Sequence, residues 1–164
     1  MKAASLNELK KELDELEAGQ LKSLCLRLAK FKKDNKELLT YLLFEEQDES
    51  GYVESVRREI TEQFGDVSNL NTYYLKKSLR RILKMVNKQI RYSGLPETEL
   101  ALRIHFCEQI KEAEMPVTKS TVLMNLYEQQ LKKIHQALAK LDEDLKLDYQ
   151  SRIENLSAPQ RKAG

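Results

Sequence analysis

The chain has 164 residues, of which 41% are hydrophobic and 33% are charged, and its formal net charge is only +2. The length suits one domain with a sizeable core, and the hydrophobic content excludes a disordered chain. With 5 Gly and 3 Pro, the chain holds few residues that break helices. We therefore predict an all-α fold, a helical bundle or a short stack of helix pairs with about seven helices.

The N-terminal part of the chain predicts two amphipathic helices. Ser5 and Glu8 have the spacing of a capping box, and four leucines at helical spacing follow: Leu6, Leu9, Leu13 and Leu16. Gly19 marks a break between the helices. The second helix is predicted over about residues 20–33, with an apolar stripe of the same spacing: Leu21, Leu24, Leu28 and Phe31.

A third helix is expected after Asp34 or Asn35, either of which can cap it. Its residues 38–44 are apolar on nearly all sides. A helix of this kind is normally surrounded by other helices. We therefore expect this third helix to be central in the core.

The middle of the chain is predicted from its breaks. The acidic stretch 45–51 is read as a loop with Ser50 as the next helix cap, and 65–72 is the clearest loop in the chain. A basic helix over 73–92 should end at Ser93-Gly94. The following helix should begin at Pro96, because the missing N–H of proline costs nothing at a first helical position.

The last helix is predicted to be long, over about residues 119–156. Its later part keeps only a narrow apolar stripe in heptad rhythm: Leu131, Ile134, Leu138, Leu141 and Leu145. The stripe either packs within the bundle or meets a partner helix, which includes self-association. We predict a single domain over residues 1–156, followed by a flexible tail at 157–164.

The basic helix carries seven cations and no carboxylate. At about 100° per residue the cations fall within an arc of roughly 140°, opposite the apolar side chains. We name this arc the cationic face: Lys76, Lys77, Arg80, Arg81, Lys84, Lys88 and Arg91. It can pair with the acidic segment 45–66, whose carboxylates include Glu54 and Glu59, or bind a polyanion such as nucleic acid. A third alternative, disfavoured because the apolar face is needed for the core, is that the helix lies on an anionic membrane surface. Tyr73, Tyr74 and Tyr92 would add stacking surfaces for RNA or another single strand.

No catalytic constellation stands out in the sequence. His105 and Cys107 point about 200° apart on a helix, so they cannot share a metal ion from the same turn. The acidic segment 142–148 lacks the glycine and ligand spacing of an EF-hand. We expect no metal, no cofactor, no small-molecule substrate and no enzymatic activity.

Four stretches carry a resemblance to a known group of proteins: LCLRLAKFKKDNKELLTYLLFE, GYVESVRREI, YYLKKSLRRILKMVNKQIRYS and NLYEQQL. Together they resemble a family of small all-helical bacterial proteins whose function is not known. The resemblance implies a bacterial cytosolic protein. It assigns no activity and no site residue.

Two functions are consistent with these patterns. The first is a non-catalytic protein-interaction or scaffold domain, indicated by the narrow stripe of the last helix and the missing catalytic chemistry. The alternative is an RNA-binding or single-strand-binding protein that uses the basic helix 73–92. The N-terminal residues lack the apolar core of a signal peptide, and no segment predicts a membrane span, so a cytoplasmic location with reduced Cys25 and Cys107 is expected.

Overall fold

The computed structural model describes residues 1–67 and 71–157. Within these ranges every regular element is helical and none is a strand, which confirms the all-α prediction. The chain divides into two compact units, the first formed by Met1–Phe44 and the second by the residues from Glu45 onward. Residues 158–164 of the predicted tail, and residues 68–70 of the predicted loop, lie outside the described residues.

The first unit contains three short helices: α1 at Leu6–Asp14, α2 at Ala18–Phe31 and α3 at Lys33–Thr40. The capping box of α1 forms as predicted. The Glu8 N–H donates to Ser5 Oγ at 3.3 Å, and the Ser5 N–H donates to Glu8 Oε2 at 2.8 Å. Helices α2 and α3 pack against each other across the extended Lys32.

The second unit contains five helices, joined to α3 by a π-helical turn at Tyr41–Glu45 and a 3-10 turn at Glu46–Asp48. They are α4 at Glu49–Gly65, α5 at Thr72–Ser93, α6 at Pro96–Glu112, α7 at Thr121–Leu138 and α8 at Glu143–Asn155. The predicted stop of the basic helix is confirmed. Gly94 adopts the left-handed conformation with φ 71°, and its N–H donates to the Ile90 carbonyl at 2.8 Å.

Helix α6 is the centre of the second unit. Every residue from Leu100 to Cys107 is buried, and α4, α5 and α7 all pack against this helix. Phe106 meets Phe64 of α4 edge to face, with ring centroids 5.5 Å apart. The prediction that the third helix is central in the core is therefore wrong: Leu42, Leu43 and Phe44 are exposed.

The prediction of one long C-terminal helix is also wrong. Helix α7 ends at Leu138, and α8 begins at Glu143 after Asp142, whose backbone is extended. Asp142, Glu143 and Asp144 suit a helix start, because carboxylates there face the positive end of the helix dipole.

The break lets α8 fold back onto the unit. Arg152 donates two hydrogen bonds to Glu108 of α6, from Nε and Nη2, each 2.8 Å long. The Tyr127 hydroxyl of α7 donates to the Leu156 carbonyl at 2.8 Å. Ile153 and Leu156 are buried, which a straight helix over residues 119–156 could not achieve together with these contacts.

We expect Leu156→Ala to lower the free energy of unfolding by about 2–5 kcal/mol, because it leaves a cavity at a side chain that is only 1% exposed. Leu147→Ala is the matched control. Leu147 lies on α8, which Leu156 caps, but is 69% exposed, so its truncation should change stability by at most about 0.5 kcal/mol. Urea unfolding followed by circular dichroism measures both values. Equal effects of the two substitutions would show that α8 does not dock.

Candidate functional site

Helix α5 separates its charge from its apolar side chains. Five apolar side chains of α5 are buried: Leu75, Leu79, Ile82, Val86 and Ile90. Asn71 caps the helix by accepting the Tyr74 N–H at 3.2 Å, and Gly94 ends it. The core contacts therefore fix which side of the helix faces the solvent, and that side carries the cations.

All seven predicted residues of the cationic face lie on one side of α5. Lys77, Arg80, Arg81, Lys84 and Arg91 are exposed, and the other two are half-buried: Lys76 and Lys88. Six of the seven form no ion pair with any carboxylate in the described ranges: Lys76, Lys77, Arg80, Arg81, Lys84 and Arg91. Lys88 has interactions of its own.

Three carboxylates of the acidic segment 45–66 have partners outside the six unpaired cations. Glu54 pairs with Arg57 at 3.3 Å, and Glu59 accepts a hydrogen bond from Gln63 at 3.3 Å, both within α4. Glu49 accepts hydrogen bonds from Thr98, at 2.6 Å, and from Ser93. These contacts do not engage the six cations, so internal pairing does not neutralise most of the cationic face.

A groove of about 730 Å³ runs along one edge of the cationic face. Three helices of the second unit contribute to it. Its charged lining comprises five cations and one carboxylate: Arg80, Lys84, Arg91, Arg103, Lys133 and Glu99. An anion in this groove would be surrounded by positive charge from more than one element.

Arg103 of α6 holds the only carboxylate of that lining in place. Its side chain is buried, and its Nε donates to Glu99 Oε1 at 2.9 Å. Its Nη1 donates to Asn87 Oδ1 at 2.9 Å and to Gln130 Oε1 at 2.8 Å. Glu99 is therefore already paired, and the groove keeps its excess of positive charge. Sequence reasoning missed Arg103 and Lys133, and the spacing of Glu99 four residues before Arg103 was the available signal for the first.

Two tyrosines extend the cationic face at its N-terminal end. Tyr73 and Tyr74 are 70% and 53% exposed, and their rings meet edge to face with centroids 5.3 Å apart. At about 100° per residue, Tyr73 lies near the middle of the arc of cations. Exposed aromatic rings beside cations are the combination on which unpaired bases stack. Tyr92, the third predicted tyrosine, is half-buried.

The predicted partner-helix stripe does not form one continuous face. Ile134 is fully buried in the second unit, and four residues of the stripe are half-buried: Leu131, Leu138, Leu141 and Leu145. Leu141 lies between the two helices and Leu145 lies on α8, because α7 ends at Leu138. Packing within the unit therefore accounts for Ile134.

The side chains of His105 and Cys107 are both buried. Cys107 is fully buried, and burial raises the pKa of its thiol to about 12, so the thiol stays protonated at neutral pH. His105 Nε2 lies 2.8 Å from Thr61 Oγ1 and 3.1 Å from the Arg57 carbonyl. No cluster of three or more potential metal ligands is found among residues 1–67 and 71–157. In the same ranges, no helix is long and apolar enough to cross a membrane.

Comparisons of this chain with protein-family models, with curated proteins and with solved structures find no match. Its function is therefore inferred from its own side chains.

We expect the double substitution Arg80→Glu with Lys84→Glu to leave the free energy of unfolding unchanged or to raise it by up to about 1 kcal/mol. The reversal relieves like-charge contacts between residues four apart, each worth a few tenths of a kcal/mol. Chemical denaturation at low and high salt provides the measurement. A loss of stability that shrinks in high salt would mean that the cationic face pairs with internal carboxylates after all.

Stability should also fall as the pH drops through about 6.5. Burial, followed by the nearby charge of Arg57, lowers the pKa of His105, and Glu108 only partly opposes this. The unfolded chain then binds a proton at a pH where the folded chain does not, so acidification favours unfolding. Urea midpoints at about pH 7.5 and 5.5 should differ less in His105→Gln than in the wild type. His135→Gln, at an exposed position, controls for the loss of an imidazole.

Proposed function

We propose that this chain is a non-catalytic nucleic-acid-binding protein. It binds single strands, with RNA as the preferred ligand, on the cationic face of α5 and in the adjoining groove. One observation carries the proposal: six cations on one exposed helix side have no ion-pair partner among the described residues. Like charges four residues apart disfavour a helix, and a bound polyanion would relieve that repulsion.

The proposed binding mode follows from the dimensions of the face. The cations extend along about 24 Å of helix, at 1.5 Å per residue, so several phosphates of one strand can be contacted at once. Arg80, Lys84 and Arg91 line the groove on one side, and Arg103 and Lys133 face them from α6 and α7. Phosphates in the groove would replace counterions, which makes binding strongly salt-dependent.

Exposed tyrosines favour a single strand over a duplex. A duplex keeps its bases stacked inside, whereas an unpaired strand can place bases on Tyr73 and Tyr74. Base stacking of this kind depends little on sequence, and no described side chain forms a base-reading pattern that we recognise. We therefore propose binding with little sequence preference.

We expect fluorescence anisotropy to detect binding of labelled single-stranded RNA at about 50 mM salt and much weaker binding at about 200 mM. Arg80→Glu with Lys84→Glu should weaken binding at least tenfold and flatten the salt dependence, because at least two phosphate contacts are lost. Double-stranded DNA measured in parallel should bind more weakly than RNA.

The matched control is Lys119→Glu with Lys140→Glu. It changes the net charge by the same amount at two exposed lysines that do not line the groove. This control should retain most of the RNA affinity. An equal loss of RNA affinity in the two double variants would show that only the net charge matters. The proposal would be rejected if the wild type did not bind RNA at the lower salt.

A second candidate function is a protein-interaction or scaffold domain. The observation that favours it is the exposure of large apolar side chains in the first unit, among them Leu28, Phe31 and Phe44. A bacterial cytoplasmic setting, which the family resemblance implies, suits either function.

A further inference from the structure

Helices α1 and α2 carry large apolar side chains that are exposed. No residue of α1 is buried, and Ala29 is the buried residue of α2. Leu6 is 86% exposed, Leu28 is 61% exposed and Phe31 is 78% exposed. Soluble proteins rarely keep so many large apolar side chains in water without a partner.

The two stripes share one spacing. Leu6, Leu9, Leu13 and Leu16 are separated by three, four and three residues, and Leu21, Leu24, Leu28 and Phe31 repeat the same intervals. Intervals of three and four place side chains along one narrow side of a helix, the pattern by which helices pack in coiled coils and four-helix bundles. Leu6, Leu9 and Leu13 on α1, and the second stripe on α2, therefore form packing surfaces rather than scattered apolar residues, whereas Leu16 follows the end of α1.

The helices are too short to be stable without packing. Helix α1 has nine residues and α2 has fourteen, and isolated helices below about 12–15 residues are marginal in water. The capping box at Ser5 stabilises one end of α1 but adds only about 1 kcal/mol. Association with another helical surface would supply the missing burial.

The surface formed by α1 and α2 carries charges of opposite sign, so it can pair with the same surface of a second copy. Residues 8–17 carry five acidic and two basic side chains, a net −3, whereas residues 18–31 carry three basic and no acidic side chains, a net +3. When two identical chains meet about a two-fold axis, α1 of each can lie against α2 of the other. The acidic segment 8–17, which comprises most of α1 and the turn after it, then faces the basic α2 twice in the same interface.

The exposed area is sufficient for such an interface. At about 150 Å² for a fully exposed large apolar side chain, the exposed fractions on α1 and α2, from Leu6 to Phe31, amount to roughly 600 Å². A standard interface covers about 800 Å² on each partner, of which somewhat more than half is apolar. We propose that the chain forms a homodimer in which α1 and α2 of two copies build an antiparallel four-helix bundle.

Sedimentation equilibrium of the full chain over about 1–100 µM tests the proposal, since this range brackets a micromolar dissociation constant. We expect a dimer at the upper concentrations. Leu13→Glu with Leu28→Glu should weaken dimerisation at least 100-fold, because each substitution would place an unpaired carboxylate in the desolvated interface. The control Leu147→Glu, at a 69% exposed position of α8, should leave the dimer intact.

Urea unfolding of the same samples shows whether each variant is folded. Should the double variant fail to fold, Leu9→Glu alone provides the test, because α1 contains no buried residue whose packing the substitution could disturb. A wild-type chain that stays monomeric over the whole range overturns the proposal. The proposal is also overturned if the folded interface variants still sediment with the mass of the wild-type dimer.

A spin label on Cys25 gives an independent measurement. Cys25 is exposed on α2 and Cys107 is buried, so labelling is selective. In the proposed bundle two labels come within about 40 Å, because four packed helices about 10 Å apart span no more than this. A dipolar signal at high concentration that disappears in Leu13→Glu with Leu28→Glu supports the dimer, and no such signal in the wild type refutes it.

Discussion

Helix α6 has no exposed side chain between Leu100 and Cys107, so α4, α5 and α7 must each cover part of it. This run is largely apolar, which favours a place in the interior. Its one buried arginine, Arg103, is acceptable there because Glu99, Asn87 and Gln130 receive its N–H groups. The same contacts bind α5, α6 and α7 into one arrangement, which sets the orientation of the cationic face.

Local signals in the sequence identified several helix ends correctly. The capping box at Ser5, the left-handed Gly94 and the proline at the start of α6 each depend on residues within four positions of one another. The division of α5 into an apolar and a cationic side is local in the same sense. For this reason all seven cationic residues could be placed on one side of a helix before any packing was known.

The features that the sequence did not predict depend on contacts between residues that are far apart in the chain. Between Ala139 and Asp142 there is no glycine or proline, and the apolar rhythm of α7 continues through the break, so the sequence offers little warning that the helix ends. The return of α8 onto the unit is stabilised by Arg152, which binds α6, and by Leu156, whose carbonyl accepts a hydrogen bond from α7. The burial of Ile153 and Leu156 adds to this. The contributions of Arg103 and Lys133 to the groove likewise require knowledge of which helices adjoin α5.

The prediction for the apolar run of the third helix was wrong for a different reason. Hydrophobicity shows that a segment gains free energy on leaving water, but it does not say whether its own chain or a second molecule provides the cover. In residues 38–44 the two alternatives have the same sequence pattern. The structure shows only that Leu42, Leu43 and Phe44 remain exposed in this chain.

The return of α8 onto α6 and α7 has a consequence for synthesis on the ribosome. Tyr127 and Glu108 are translated well before Leu156 and Arg152, their hydrogen-bond partners. Until residue 156 has left the exit tunnel, the apolar sides of α6 and α7 that α8 covers stay exposed to solvent. The nascent chain therefore passes through a partly folded state in which these apolar sides are open and prone to aggregation.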